Sequence, residues 1–414
     1  MQTFTGFEYL LIDVANAFGL DKEVYEVRIQ WAKDNLNELE DLAVLADDYY
    51  LYRKSVMALR ETLAGQPTGH LVGFDAVCSG MQIMSTLVGC PTGAEATGLV
   101  NPNVRSDAYK GCLDIMRQYI PTLPDEERKK IKNAVMTSLY GSIVEPEKVF
   151  GTDTEELKVF KKSLYQLAPG ACELLETLRD TWNPTALYHA WKLPDGFDAK
   201  IKVMNKKESR IEVDELGGST FTYIYLENEC APEGVSNIAN VVHSIDGYMV
   251  RSIERRCNYD AQAIDQALDI LITEGLRREV GKTTDSSNIQ PCQRFSYYLE
   301  QYDRSTVADV VILPHITSTN VCLLSDKHLD KLINIASDML EYKPFPVITV
   351  HDEFKCHPNN MNHLRFQYKE ILADLADSDL LQDLLIQLYG KVGKVQKKSS
   401  NLGDKIRQSN YAIC

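Results

Sequence analysis

The stretch FPVITVHDEFKCHP, residues 345–358, drives a β-branched apolar run from Val347 to Val350 straight into His351, Asp352 and Glu353. A carboxylate placed where a hydrophobic strand turns is held rigidly beside a low-dielectric core. Its charge is costly there unless a cation shares the position, and a divalent metal is the usual one. A second apolar strand, HLVGF (residues 70–74), delivers Asp75 in the same way. Two carboxylates from the ends of two strands, far apart in sequence, could hold a pair of Mg²⁺ ions. Such ions activate an attacking oxygen and stabilise a leaving one in phosphoryl transfer. Either aspartate alone also suits an ordinary strand-to-turn position, so the chemistry depends on the two meeting.

A third element is RKKIKNAVMTSLYGS, residues 128–142. Arg128, Lys132, Met136 and Tyr140 recur at steps of four and share one stripe of one helix. A core stripe would not begin with Arg and Lys. Two cations followed by Met and Tyr suit a surface gripping phosphates at one end and a base or sugar at the other. A solvated amphipathic face carries the same pattern.

These residues need elements to position them. Residues 1–74 read mostly helical before the strand that ends at Asp75, and a helix follows from Ser79 or Gly80. CPTGAEATGLVNPN (residues 90–103) reads as a Gly/Pro-rich loop. SDAYKGCLDIMRQY and PDEERKKIKNAVMTSLYG read as helices, the second opening on Pro and acids and closing on Gly. SRIEVDE and STFTYIYLE read as strands joined through LGG. Residues 257–335 contain one clear helix, AQAIDQALDILITEGLRREV, and a polar linker, GKTTDSSNIQPCQ (residues 281–293).

The 414 residues carry 44 Lys and Arg against 59 Asp and Glu, a net charge of −15. That sum argues against a free-standing nucleic-acid binder, although a local basic groove can exist on an acidic body. No apolar run is long enough to span a bilayer, and the first residues lack a basic leader, so a cytoplasmic protein is expected. The ten cysteines have no metal-site spacing and read as reduced thiols.

DAVCSG, then R-x3-K-x3-M-T-x2-Y-G-S, then VHDEF, in that order, resemble the three polymerase motifs of the phage-type, single-subunit RNA polymerases of phages and mitochondria. YLLIDVANAFGLDK, NVRSDAY, WKLPDGF, VVHSIDGYMVR and the C-terminal SSNLGDKIRQSNYAIC resemble further family segments, with Ile413 and Cys414 replacing the usual last residues. The resemblance implies an α+β fold: a right-hand palm with a small antiparallel sheet and mostly helical fingers. The expected division is residues 1–92 and 241–256 in the palm, 93–240 in the fingers, 257–335 an insertion, and 336–414 the palm again with a C-terminal foot.

By the same resemblance, Asp75 and Asp352 are the ligands of two Mg²⁺ ions, assisted by the backbone carbonyl of Ala76. Lys22, Arg128 and Lys132 face the triphosphate, with Lys132 best placed at the departing pyrophosphate. Tyr140 and His243 sit by the incoming ribose, and Met136 and Gly141 shape the nucleotide pocket. The implied activity is template-directed transfer of ribonucleotides to an RNA 3′-OH, with DNA template, nascent RNA and NTPs as partners.

Two rivals share much of this pattern. The VHDE tetrapeptide looks more like the related repair-type DNA polymerases, because the RNA enzymes usually carry Ser where Glu353 stands. Those DNA polymerases, however, place a Glu that blocks a 2′-hydroxyl where this chain has Gly80, and Phe where it has Met136. They also lack the His-Ser-x-Asp-Gly element. A catalytically silent nucleic-acid-binding subunit would have lost the carboxylates that are retained here.

Departures from the family imply a partner. Its N-terminal domain and its Arg-Gly-Arg motif should precede residue 9, and no Arg-Gly-Arg occurs in the chain. The simplest expectation is a split enzyme resembling the two-subunit polymerase of certain phages, in which a second subunit supplies the missing half and another factor recruits the complex. A shortened version of a longer protein is the other explanation. The interval between WKLPDGF and HSIDG is not assigned as the family's long promoter-reading hairpin, and the span from His243 to His351 is longer than the family's.

Overall fold

The computed structural model describes residues 1–229, 231, 234, 236–282 and 289–414. In chain order the first helices are α1 (Gly6–Ala15), α2 (Tyr25–Asp34) and α3 (Tyr49–Leu63), followed by strand β1 (Val72–Asp75). Next come α4 (Ser79–Val88), α5 (Pro91–Ala96), α6 (Ala108–Arg117), α7 (Glu127–Leu139), α8 (Val144–Phe150), α9 (Glu155–Leu167) and α10 (Pro169–Asp180). Two hairpins follow, β2 (Tyr188–Lys192) with β3 (Asp198–Lys202) and β4 (Asn205–Val213) with β5 (Ser219–Glu227). Then come α11 (Ser236–Cys257), α12 (Ala261–Glu279), α13 (Gln293–Ser305) and α14 (Asp326–Leu340). The chain closes with β6 (Ile348–Val350), β7 (Glu353–Cys356), α15 (Met361–Asp377), α16 (Leu380–Tyr389) and α17 (Leu402–Gln408). This is the expected α+β class, with small antiparallel sheets among many helices.

Local chemistry explains the key boundaries. Thr5 and Glu8 form a reciprocal cap that starts α1: the Glu8 N–H donates to the Thr5 hydroxyl at 3.2 Å and the Thr5 N–H to the Glu8 carboxylate at 2.8 Å. Strands β6 and β7 are joined by only His351 and Asp352, and the tight reversal puts His351 at φ +57°. Histidine is one of the few residues that tolerate that region.

The sheet order is β1–β7–β6, all antiparallel, with Val72 opposite Cys356 and Asp75 opposite Glu353. Phe74 and Phe354 from this sheet are buried in the main core, which α1, α4, α11 and α15 share. The last residues add to the sheet: Ala76 bridges Ile413, and the Cys414 N–H donates to the Asp75 carbonyl at 3.1 Å. Tyr25 clasps the same tail, stacking on Tyr411 at 4.8 Å and donating its hydroxyl to the Ile413 carbonyl at 3.1 Å.

Three expectations are corrected. The Gly/Pro-rich loop at residues 90–103 contains helix α5, because Pro91 suits a first helical turn and Ala94, Glu95 and Ala96 favour continuing it. Residues 257–335 hold α13 and the start of α14 besides the one anticipated helix. With α12 they enclose a second hydrophobic cluster that includes Leu271, Phe295, Leu313, Leu332 and Met339. Helix α13 was hidden by its polar composition, QRFSYYLEQYDRS. Within the expected linker, residues 283–288 lie outside the described residues. The interval before HSIDG does contain a long hairpin: β4 and β5 pair over nine residues each, leaving Phe221, Tyr223, Ile224 and Leu226 exposed. Among the described residues no helix is long and apolar enough to cross a membrane, and the nine described cysteines are free thiols.

Helix α15 also carries a titration with a calculable consequence. The His363 ring is buried against Tyr342, with centroids 4.3 Å apart, and burial pulls its pKa down to about 4. In the unfolded chain it titrates near 6.5. Below about pH 6.5 the unfolded chain therefore gains a proton that the fold refuses, and this contribution to stability is lost as pH falls towards 4. Asp338, raised to about 6 mainly by burial, acts in the opposite sense, but it cancels when wild type is compared with His363→Gln. Relative to that variant, the wild type loses about 2 kcal/mol between pH 7 and pH 5. Urea unfolding at the two pH values measures this, and identical pH dependence of the two proteins would refute it.

Candidate active site

Asp75 closes β1 and Asp352 sits in the turn that opens β7, so the β1–β7 pairing carries both to one end of the sheet. The Ala76 N–H donates to the Asp352 carbonyl at 3.2 Å, continuing the ladder between the two aspartates. Both line a cleft of about 400 Å³ together with Ala76, Lys132, Met136, Tyr140 and His243. The sequence thus named seven of the residues that line one cavity. Its far wall comes from α7 and α11, and its near wall from the start of α4.

That start is strained. Cys78, just before α4, takes φ +57° and ψ +68°, which turns the chain sharply after Ala76 and lets α4 begin at the cleft. Strain of this kind persists where surrounding structure enforces it, and it clusters at functional sites.

The electrostatics are those of an acidic site short of positive charge. Asp75 opens onto the cleft yet is hemmed in by protein, and burial followed by the neighbouring Asp352 and Glu353 pushes its pKa up to about 6. Lys132 pulls it the other way. Asp246, on α11, is likewise pushed up to about 6, first by burial and then by Asp352. Carboxylates that raise one another's pKa in this manner form a set that a cation relieves. Among the described residues no three His, Cys, Asp or Glu side chains form a metal cage. A pair of carboxylates with a backbone carbonyl is the sparser arrangement that Mg²⁺ accepts, with water and phosphate oxygens completing its shell.

The polar wall opposite is neutral at physiological pH. Tyr140 lies tilted against His243 with ring centroids 4.4 Å apart. Burial, with help from Asp246, pushes the Tyr140 phenol up to about 12. Burial and then His351 lower the His243 pKa. Tyr140 therefore keeps its O–H and His243 is an uncharged imidazole, both suited to hydrogen-bonding a hydroxyl.

Three expected residues stand outside this cleft. Lys22 and Arg128 line a neighbouring cavity of about 600 Å³ with Arg105 and Lys110. Arg128 is held by Asp107, Nε at 2.8 Å and Nη2 at 2.7 Å, while Asp107 caps α6; Lys22 pairs with Asp21. Gly141 follows the end of α7 at φ +85°, where an added Cβ would meet Ile238 Cδ1 at 2.9 Å. Its contribution is to let the chain turn so that α11 lies close behind Tyr140.

Sequence reasoning missed Asp246 and Tyr109. Asp246 lies three residues after His243 on one helix, and that spacing alone puts the two on the same face. Tyr109 lines the cleft, with Arg128 at 5.6 Å and Lys132 at 5.5 Å from its ring centroid. His351, visible in the motif but given no role, also lines the cleft.

Comparison with known proteins bears on the first part of this architecture. A probable DNA-directed RNA polymerase of Neurospora crassa is 31% identical over 163 residues, covering 33% of this chain and 18% of that protein. The mitochondrial DNA-directed RNA polymerase of Schizosaccharomyces pombe is 25% identical over 163 residues, covering 33% of this chain and 14% of that protein. The matched part thus spans less than a fifth of either curated relative's length. Residues 2–168 match the model of the DNA-dependent RNA polymerase family, a span that includes Asp75 and all of α7 and ends before α11 and β7. Residues 2–168, less than half of the chain, are thus similar to the DNA-dependent RNA polymerase family.

Proposed function

We propose that this chain is the catalytic part of a DNA-directed RNA polymerase that transfers ribonucleotides to an RNA 3′-OH under direction of a DNA template. The observation that carries the reading is the β1–β7 pairing, which brings Asp75, inside the family match, and Asp352, outside it, to the mouth of one cleft facing Lys132, Tyr140 and His243. In family terms the β1–β7–β6 sheet is the palm, and the helices around α7 belong to the fingers.

Asp75, Asp352 and the Ala76 carbonyl would hold Mg²⁺, which when bound lowers the pKa of an attacking hydroxyl and neutralises charge on the phosphates. The chain's own residues do the rest. In the overall reaction the RNA 3′ oxygen bonds to the α-phosphorus of the NTP as the bond to the bridging oxygen breaks and pyrophosphate leaves. Lys132 stands where it meets the negative charge gathered on that leaving group and can supply a proton. Arg128 and Lys22, in the adjoining cavity, suit the outer phosphates or the pyrophosphate on its way out. Tyr140 and His243 orient the ribose, Met136 borders the base, and Gly80 leaves the 2′ side open.

Glu353 is the residue most reminiscent of DNA polymerases; it lies opposite Asp75, whose pKa it helps to raise, and its carboxylate is tied to a neighbouring cation. It pairs with Lys355 at 3.0 Å and lies over Gly73, where an added Cβ would meet its Oε1 at 2.3 Å. The hairpin β4–β5 occupies the interval where the family carries its promoter-reading hairpin, although Lys206 and Lys207 on β4 are paired with Glu208 and Glu229. A second polypeptide bearing the Arg-Gly-Arg motif completes the enzyme, and with a net charge of −15 a recruiting factor compensates for weak intrinsic DNA affinity.

The test is extension of an RNA primer annealed to a DNA template, by the chain alone and with the partner's domain added. Template-directed incorporation of NTPs in preference to dNTPs is expected, abolished by EDTA and restored by Mg²⁺. Incorporation that persists in EDTA, or that favours dNTPs, overturns the reading.

A further inference from the structure

Three aspartates line the cleft, and the metal ions call on only Asp75 and Asp352, which leaves Asp246 over. It sits half-buried on α11, three residues after His243 and on the same face of the helix. Among the described residues nothing donates a hydrogen bond to its side chain, and no Lys or Arg pairs with it. Nor do three carboxylates converge there as a cage for a cation. A carboxylate kept partly out of water without a partner costs stability, so its position suits a donor that arrives with a ligand.

The cleft has two ends. Lys132 acts on Asp75, whereas the charged groups that face Asp246 are Asp352 and His351, the two residues of the β6–β7 turn. Asp246 therefore stands at the turn and Lys132 towards the opposite end. In phosphoryl transfer the attacking and leaving oxygens lie roughly in line across the phosphorus. With pyrophosphate leaving past Lys132, the end of the RNA enters from the side of Asp352, and its last ribose comes to Asp246. The step along α11 agrees. Three residues advance about 4.5 Å along a helix, comparable to the ~3.4 Å by which successive nucleotides of one strand advance. His243 thus meets the incoming sugar and Asp246 the sugar before it.

Charge selects the atom. An ionised carboxylate only accepts hydrogen bonds, and it repels phosphate oxygens. On the terminal ribose, the donor besides the attacking 3′-hydroxyl is the 2′-hydroxyl, the group that distinguishes RNA from DNA. We infer that Asp246 accepts a hydrogen bond from the 2′-hydroxyl of the RNA's 3′-terminal ribose and so selects an RNA end for extension. The inference rests on the nucleotidyl-transfer reading and adds to it a second sugar, distinct from the incoming one that Tyr140, His243 and Gly80 face.

The test uses two RNA primers on one DNA template, identical except that the last sugar is ribose in one and 2′-deoxyribose in the other. In single-turnover addition of one NTP, the wild type should extend the ribose-ended primer with a kcat/KM about 10-fold or more higher. Asp246→Ala should bring that ratio to within about 2-fold of unity, by losing much more on the ribose-ended primer. Asp246→Asn keeps a carbonyl acceptor and should hold an intermediate ratio. The preference for NTP over dNTP should stay at its wild-type value in both variants. Because both primers are read on the same protein, any loss of folded enzyme cancels in the ratio. Four results would overturn the inference and leave the polymerase reading standing: equal extension of the two primers by the wild type, a preference that survives in Asp246→Ala, an equal loss on both primers, or a changed NTP-to-dNTP ratio. A wild type that extends neither primer overturns the polymerase reading and the inference together.

Discussion

Asp352→Asn leaves the chain folded and reduces ribonucleotide incorporation by about 10³-fold or more, read as single-turnover primer extension at saturating NTP. The backbone carbonyl of residue 352 keeps its bond from the Ala76 N–H, so the end of the β1–β7 ladder survives the substitution. What changes is charge. Asp352 is one of the neighbours that raise the pKa of Asp75, so its neutralisation relaxes that repulsion and the fold gains slightly in stability. A variant at least as stable as wild type but nearly inactive is the signature of a residue kept for chemistry at the expense of stability. If Asp352→Asn extends primers at the wild-type rate, the transfer chemistry lies elsewhere. If activity falls only together with the melting temperature, the residue is structural.

The site was legible to the extent that its signals were local. Asp75 and Asp352 were readable because each interrupts an apolar strand, where an unpaired carboxylate is expensive. The helical step of four brought Lys132, Met136 and Tyr140 to the same cleft, since a stripe in sequence is a stripe in space. That step placed Arg128 on the stripe too, yet the structure turns it to Asp107, a partner contributed by α6 that no spacing along α7 could announce. Tyr109 was missed for the same reason, since its value lies in touching two cations from another helix. In the fold, the polar surface of α13 concealed a helix whose packing face is only Phe295, Tyr302 and a few neighbours. Long-range packing, not local propensity, stabilises such a segment. The β4–β5 hairpin was visible as two strands, but their pairing over nine residues depends on a turn through Asp214–Leu216 and two glycines at positive φ.

Replacing Gly80 with Glu shifts sugar preference. Gly80 lies on α4 at the cleft, and a Cβ built there sits 3.7 Å from the Tyr140 ring carbon Cζ and hydroxyl and 3.8 Å from Val242 Cγ1. Those are ordinary contact distances, so the backbone accepts a side chain. Its direction is towards Tyr140 and the stretch of α11 that carries His243. A carboxylate extended along that line occupies the place assigned to the ribose 2′-hydroxyl, and adds another negative charge near Asp75, Asp246 and Asp352. Gly80→Glu should therefore lower kcat/KM for NTPs by about 100-fold, lower it much less for dNTPs, and so change the ribose-to-deoxyribose ratio by about 10-fold or more. Gly80→Ala is the control. It fills the same direction with one methyl, should keep the ratio, and should stabilise the helix by up to about 1 kcal/mol. Competition between NTP and dNTP in primer extension measures the ratio directly. An unchanged ratio in Gly80→Glu would place the sugar on another wall, and an equal loss for both sugars would mean that the new side chain merely blocks the cleft. A selective loss of ribonucleotides would instead show that the missing side chain at position 80 is what admits the 2′-hydroxyl.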